Sequence, residues 1–353
     1  MKKSNFKLII LAVVLIILAN FTACKSQSNS KYVNENNSKG LELVNSEKYE
    51  ESLTYFNNAI SEDDKFPEVH FNKSIALYHL KSYDKSLDAC NEAIRLKQNF
   101  DAAFNHKSLI LRELHRYNEA IEAADKAINI NPKYDIAYYN KGFALDNLMK
   151  YEQAIENYNI AIELNPTFSL AYNNKGLALY NLKKYNDALN ELNKAIELDK
   201  SNWETYNNKA LVYYALGENP EALECYELAI NNNPTNGFLF YSKARILGEM
   251  QEYESSINSF DKAIELGYSN DTIWGEKGAI LCLIERYDEA VVTFEKAIEV
   301  NPRNALIYFF NGVALQSLGR FSDAQIAYEK CLEYDPNNEK AKNALQLIKS
   351  ESY

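Results

Sequence analysis

The residue types that most often carry chemistry are few in this chain, and they are scattered. The 353 residues include five cysteines and four histidines. His70, His79, His106 and His115 do not have the spacing of metal ligands, and no Cys-x-x-Cys pair occurs. The chain has no nucleophile elbow, no phosphate-binding glycine-rich loop and no His-Glu-x-x-His sequence. The sequence therefore predicts a protein that is not an enzyme and that uses no cofactor and no metal.

Asparagine, in contrast, recurs at a regular spacing. When the chain is divided from Val33 into blocks of 34 residues, asparagine is frequent at positions 5 and 6, and large apolar residues are frequent at positions 9 and 12. A side-chain amide has both a donor and an acceptor, so a row of amides suits an extended peptide backbone. The neighbouring apolar stripe would hold the side chains of that peptide. The candidate binding residues are Asn72, Tyr78, Asn105, Tyr139, Asn140, Phe143, Asn173, Asn174, Tyr180, Asn207, Asn208 and Tyr214.

The 34-residue period holds for nine blocks without insertion or deletion. Position 20 is Ala or Ser in every block, position 27 is Ala in eight blocks, and position 17 is Tyr in seven. This pattern resembles the tetratricopeptide repeat family. The resemblance implies an all-α, right-handed superhelical solenoid of nine helix-turn-helix repeats. The blocks are 33–66, 67–100, 101–134, 135–168, 169–202, 203–236, 237–270, 271–304 and 305–338.

The apolar spacing inside each block independently predicts two amphipathic helices. Asn-Pro pairs such as Asn165-Pro166 end the second helix, because proline disfavours helix at the residue before it. One helix pair cannot bury its apolar face alone, so neighbouring pairs must stack. Residues 339–353 keep the helical spacing with many polar residues, and we expect a C-terminal capping helix there.

A helical wheel places positions 2, 5, 6, 9, 12 and 13 of the first helix on one side, and in the resembled family this side lines the concave groove. The groove positions contain two arginines, Arg112 and Arg245, and six acidic residues, which disfavours a clamp for carboxylates. A neutral or mildly basic, partly apolar segment fits these positions better. The alternative is that the amides only solvate the helix or cap a neighbouring loop.

Lysine occupies position 7 in eight blocks, from Lys39 to Lys277. The wheel directs this position away from the groove. We expect the aliphatic stem to pack beside the helix seam while the ammonium reaches an acidic side chain.

The N-terminus has a basic start followed by an apolar run from Leu8 to Ala19, which is typical of a secretory signal segment. Phe21-Thr22-Ala23-Cys24 resembles a bacterial lipoprotein cleavage box, with Phe21 in place of the usual leucine. We predict a signal segment at 1–23, lipidation of Cys24 and a polar tether at 24–32. An uncleaved N-terminal anchor is the alternative. Both place the repeats on the outer side of the cytoplasmic membrane, in the bacterial envelope.

The formal net charge of −11 and the lack of a basic stripe argue against nucleic-acid binding. The sequence thus predicts a non-catalytic, membrane-anchored scaffold for protein–protein interaction. Its groove would bind an extended segment of a partner and assist envelope, secretion or pilus assembly; a small-molecule ligand is not expected. The alternative function is glycan or peptidoglycan binding, in which the tyrosines would act as stacking platforms.

Overall fold

The computed structural model describes residues 31–351, with side chains described for residues 31–348. The predicted signal segment, Cys24 and the tether up to residue 30 lie outside the described residues. The described residues are almost entirely helical. The helices are α1 (31–45), α2 (Tyr49–Glu62), α3 (Pro67–His79), α4 (Tyr83–Leu96), α5 (Asp101–Glu113), α6 (Tyr117–Ile130), α7 (Asp135–Asn147), α8 (Tyr151–Leu164), α9 (Ser169–Asn181), α10 (Tyr185–Leu198), α11 (Trp203–Leu216), α12 (Asn219–Asn232), α13 (Gly237–Glu249), α14 (Tyr253–Glu265), α15 (Asp271–Leu283), α16 (Tyr287–Val300), α17 (Ala305–Ser317), α18 (Phe321–Tyr334) and α19 (Glu339–Glu351).

Each repeat contributes two helices, and the turn between them has a fixed geometry. The residue at position 15 has a positive φ, as in Gly217 (79°) and Met149 (58°). This left-handed residue ends the first helix, and the following N–H of Lys150 donates back to the Leu145 carbonyl at 2.9 Å. The second helix ends at an extended residue such as Asn165 (φ −138°), directly before proline.

The two helices of a repeat approach closely because a small residue at position 8 faces a larger one at position 24. A Cβ added to Gly142 would lie 2.7 Å from the Tyr158 ring, and one on Gly312 would lie 2.6 Å from the Tyr328 ring. Repeat 2 has no aromatic ring at this seam: position 8 is Ser74, and position 24 is the buried Cys90. A Cβ at Gly142 or Gly312 would therefore displace the ring that fills the seam of its repeat.

The chain forms two compact units, an N-terminal unit up to Leu182 and a C-terminal unit from Lys183. Within each unit, the described helices pack against their neighbours in chain order. In the N-terminal unit, the first helices of successive repeats (α3, α5, α7 and α9) also contact one another, so they form a continuous layer. The predicted all-α fold of stacked helix pairs, ending in helix α19, is confirmed. Between residues 31 and 351, no helix is both long enough and apolar enough to span a bilayer.

The last position of the repeat differs between the two units. Position 34 is aromatic in repeats 1 to 4, where it is Phe66, Phe100, Tyr134 and Phe168. It is asparagine in repeats 5 to 9, where it is Asn202, Asn236, Asn270, Asn304 and Asn338. The asparagine caps the next helix: the Asn202 side chain, for example, accepts from the backbone N–H of Glu204 at 2.9 Å. The aromatic residues make no side-chain cap at this place.

Candidate functional site

In the N-terminal unit, the predicted groove amides bond to groove side chains of the preceding repeat. The Asn72 amide donates to the Asn37 oxygen at 2.9 Å, and the Asn140 amide donates to the Asn105 oxygen at 2.9 Å. The Asn174 amide donates to the Tyr139 hydroxyl at 3.1 Å. Each bond joins position 6 of one repeat to position 5 of the repeat before it. These amides therefore hold neighbouring first helices in register.

Arg112 lies at position 12 of repeat 3 and belongs to the same network. Its guanidinium donates to the Asn140 oxygen, and its Cζ lies 3.6 Å from the centroid of the Phe143 ring. The Tyr139 ring centroid is 5.7 Å away, so the cation rests between two aromatic rings. Asn140 is only 2% exposed. The structure thus brings four predicted site residues, Asn105, Tyr139, Asn140 and Phe143, around one arginine.

Aromatic residues at position 34 cover part of this groove surface. The Phe100 ring centroid lies 4.9 Å from that of Phe71, and the Phe168 centroid lies 4.9 Å from that of Tyr139. Phe71 and Tyr139 both occupy position 5. The ring at the end of a repeat therefore packs on the groove residue at its beginning.

Asp146 is an acidic residue at groove position 12 of repeat 4. Burial raises the pKa of its carboxyl to about 6. Among the described residues, its buried Oδ1 has no hydrogen-bond partner. The ionised carboxylate is therefore poorly accommodated at this place.

Two predicted groove residues of the C-terminal unit, Asn207 and Tyr214, also bond to groove side chains. The Asn207 amide donates to the Asn208 oxygen at 3.4 Å, and the buried Asn207 oxygen has no partner among the described residues. The Tyr214 hydroxyl donates to the Glu249 carboxylate at 2.6 Å, which joins position 12 of repeat 6 to position 13 of repeat 7.

A pocket of about 330 Å³ opens beside these residues, in repeats 7 and 8. Groove positions supply five of its lining residues, Arg245, Gly248, Glu249, Glu276 and Ala279. Position 12 is tyrosine in repeats 2, 5 and 6, but in repeat 7 it is Gly248. Position 9 is large and apolar in repeats 1 to 6, but in repeat 8 it is Ala279. These two small side chains leave the space open. Ala244, Phe260 and Ile280 form apolar walls.

The charged groups of this pocket are only partly compensated. Glu276 accepts from the Tyr241 hydroxyl at 3.4 Å, and the Arg245 Nε lies 3.7 Å from the same carboxylate. The other Glu276 oxygen is buried and has no partner among the described residues. Burial raises the pKa of this carboxyl above its usual value. With two carboxylates and one guanidinium, the pocket favours an apolar or mildly basic group.

The predicted site residues thus fall into two classes. Deeply buried amides, among them Asn72, Asn105, Asn140, Asn173 and Asn208, are no more than 8% exposed. The half-buried residues, which a ligand can reach, are Tyr78, Tyr139, Phe143, Asn174, Tyr180, Asn207 and Tyr214. The residues around the pocket were not predicted, although Gly248 and Ala279 depart visibly from the repeat pattern.

Three of the lysines at position 7 pair with carboxylates of the preceding repeat. The Lys141 ammonium lies 2.7 Å from Asp125, and Lys243 lies 2.8 Å from Glu227. Lys277 pairs in the same way with Asp261. The acid is at position 25 each time. The prediction that the ammonium at position 7 reaches an acidic side chain is therefore confirmed for these three lysines.

The cysteines offer no activated nucleophile. Cys90, Cys225, Cys282 and Cys331, the four in the described range, are free thiols. Burial raises the pKa of Cys90 to about 12 and that of Cys225 to about 11, so the reactive thiolate is disfavoured. Within residues 31–351, no group of three His, Cys, Asp or Glu residues is arranged to hold a metal ion.

Family models match most of the chain, and all of them describe tetratricopeptide repeats. The matched residues are 37–99, 102–134, 136–168, 157–190, 176–217, 203–236, 239–266 and 285–348. None of the curated proteins compared with this chain is significantly similar to it in sequence.

Several solved structures are similar in fold. PilF of Pseudomonas aeruginosa is 20% identical, with a TM-score of 0.54, and the match covers 60% of this chain and 97% of PilF. The APC/C hetero-tetramer Cut9–Hcn1 contains a chain that is 14% identical, with a TM-score of 0.51; 85% of this chain and 58% of that chain are covered. YrrB, described as a protein with an unusual peptide-binding site, is 22% identical with a TM-score of 0.43. The match covers 53% of this chain and 97% of YrrB. At these identities the similarity shows the fold alone.

Proposed function

Because the chain belongs to the tetratricopeptide repeat family, whose members generally bind other proteins, we propose that it is a non-catalytic scaffold whose groove binds an extended segment of a partner protein. The observation that carries this proposal is the pocket in repeats 7 and 8. It is lined by groove positions, it has apolar walls, and a buried oxygen of Glu276 is left unpaired within it. A peptide side chain with an apolar stem and a donor at its tip matches these features.

The bound backbone would run along the half-buried groove residues of the C-terminal unit. Asn207 and Tyr214 offer an amide and an aromatic ring about two turns apart on the same face of α11. The corresponding residues of the N-terminal unit, Tyr139, Phe143 and Asn174, form a second such surface. The deeply buried amides serve mainly to fix the spacing of these contacts.

The proposed location is the bacterial envelope, where Cys24 would carry a lipid and hold the repeats outside the cytoplasmic membrane. The basic start, the apolar run from Leu8 to Ala19 and the Ala23-Cys24 junction support this. The proposed role there is assistance to envelope, secretion or pilus assembly, by analogy at the level of the fold.

The test is a binding selection with short unstructured peptides, followed by affinity measurement with the full chain. Ala279→Leu fills the pocket with the residue type common at position 9, and the control Val313→Leu places the same side chain at the same position of repeat 9. We expect Ala279→Leu to weaken selected peptides by about tenfold or more, the affinity change expected for loss of one well-placed apolar anchor. Val313→Leu should bind as the wild type does.

Two results would reject the proposal. One is equal affinity of Ala279→Leu and the wild type for every selected peptide. The other is displacement of the peptides by peptidoglycan fragments that bind more tightly, which would favour the glycan-binding alternative.

A further inference from the structure

A second pocket, of about 450 Å³, lies in the N-terminal unit between α2, α3 and α4. Its polar lining consists of Asn57 from α2, His70 and Lys73 from α3, and Lys85 and Asp88 from α4. None of these residues is at a groove position, so this pocket is separate from the proposed peptide site. Its volume is within the range of roughly 300–1,000 Å³ that is typical of small-molecule sites.

Lys73 is at position 7, but its environment differs from that of Lys141, Lys243 and Lys277. Those three lysines each pair with an acid at position 25 of the preceding repeat. For Lys73 the residue at that position is Asn57, which has no charge. Among the described residues, no carboxylate oxygen lies within 4.0 Å of the Lys73 ammonium. The pocket therefore lacks the counter-ion that Asp125, Glu227 and Asp261 supply to those three lysines.

The site around Lys73 is cationic and partly dry. Burial lowers the pKa of Lys73, because removal from water disfavours its charged form. Lys85 adds a second ammonium, while the exposed Asp88 carboxylate opposes it from the same helix. The His70 ring bonds through Nε2 to the Asp64 carbonyl at 2.9 Å, which orients the ring at the pocket wall. Leu53 and Leu77 provide apolar surface beside these groups.

We propose that this pocket binds a small phosphate monoester. A phosphate monoester has three terminal oxygens, which suit the three donors Lys73, Lys85 and Asn57, and its charge of about −1.5 to −2 at neutral pH outweighs the repulsion from Asp88. Lys73 supplies the counter-charge from the pocket interior, Lys85 supplies it from the rim, and the Asn57 amide can donate to a phosphate oxygen. The leucines face the organic part of the ligand. A monocarboxylate offers only two oxygens to these three donors.

The experiment is calorimetric titration of the full chain with glycerol 3-phosphate at low salt. Asn57→Asp supplies the carboxylate that Asp125 supplies to Lys141, so it should satisfy Lys73 internally without disturbing the fold. We expect it to weaken binding by about tenfold or more, as loss of a charge-assisted contact does. Lys73→Met, which keeps the length of the stem, should weaken binding similarly. The matched control is Lys243→Met, which alters a paired lysine and should bind as the wild type does.

The proposal is overturned if the wild type shows no binding, or if Asn57→Asp binds as tightly as the wild type. It is also overturned if Lys243→Met loses affinity to the same extent, because the ligand would then respond to overall charge. Equal binding of lactate would show that any small anion suffices and would reject the phosphate assignment. None of these outcomes bears on peptide binding in the groove, so the two proposals are tested separately.

Discussion

The two units end their repeats with different chemistry at the same position, and the difference changes the groove. In the N-terminal unit, Phe100 and Phe168 pack on groove residues Phe71 and Tyr139. In the C-terminal unit, the side chain at this position is an asparagine that caps the next helix, as Asn304 does for the N–H of Leu306 at 3.1 Å. One unit uses position 34 to cover its groove, whereas the other uses it to begin a helix.

The groove surfaces differ accordingly. In the N-terminal unit, position 5 and 6 side chains bond to one another across repeats, and Arg112 completes the network. In the C-terminal unit, Gly248 and Ala279 leave a pocket open at the same face. The comparison teaches that a shared repeat pattern does not give every repeat the same role. Side chains of the N-terminal groove bond to one another across repeats, and the C-terminal groove has the more open site.

The largest expected effect comes from converting one unit to the chemistry of the other. Phe100→Asn removes a ring that is 9% exposed and supplies a capping side chain instead. Loss of a buried phenylalanine costs about 3–5 kcal/mol, and a good cap returns about 1 kcal/mol. We expect the free energy of unfolding to fall by about 2–4 kcal/mol, measured by urea denaturation followed by circular dichroism. Unchanged stability would show that the ring does not support the groove.

The second prediction concerns pH and groove position 12. The pKa of Asp146 is about 6 in the folded chain, against an unperturbed value of about 4. The folded state therefore binds more protons than the unfolded state between pH about 4 and about 6, and the free energy of unfolding falls as pH rises through this window. We expect a loss of about 1–2 kcal/mol across it, and Asp146→Asn should abolish this part of the slope. Urea midpoints at both ends of the window provide the measurement. Persistence of the full slope in the variant would exclude Asp146 as its source.

The third and smaller effect is the loss of a cap in the C-terminal unit. Asn304 accepts from the N–H of Leu306 and donates to the Asp271 carboxylate at 2.8 Å. Asn304→Ala should reduce the free energy of unfolding by about 1 kcal/mol, the usual value of an N-cap. Asn304→Asp keeps the cap but places a second carboxylate beside Asp271, so only part of the stability should return. Thermal or urea unfolding of the wild type and the two variants would give the order of their stabilities. Equal stability of all three proteins would contradict the capping role of Asn304.

The fold could be predicted because the period acts on every repeat at once. Small residues at positions 20 and 27 recur in all nine repeats and tyrosine at position 17 in seven, so a departure in one repeat does not hide the helix pair that the others specify. The pairing of Lys141, Lys243 and Lys277 with acids was also predictable in kind, because a long cationic side chain at a helix seam needs a counter-charge.

The site was only partly predictable, because a helical wheel gives the face of a residue and not its partner. The sequence places Asn105 and Asn140 on the groove side, but the bond between them depends on how repeats 3 and 4 are offset in space. The open pocket arises because Gly248 and Ala279 lack the large side chains found at these positions in other repeats. A prediction based on the residues typical of each position does not reveal such a pocket. Likewise, the absence of a carboxylate at Asn57 can be recognised only after the structure shows that Asp125, at the same repeat position, contacts Lys141.

The most direct test of the central claim, that the groove and not the outer surface binds a peptide segment, is site-specific photo-crosslinking. A benzophenone-bearing phenylalanine would replace Tyr214, a half-buried groove residue beside Glu249, in one full-length chain. In a second chain it would replace Val292, which is 58% exposed on the second helix of repeat 8. A selected peptide should crosslink to the chain labelled at position 214 and not to the one labelled at position 292. Crosslinking at position 292 alone would contradict the account and place the binding surface on the second helices.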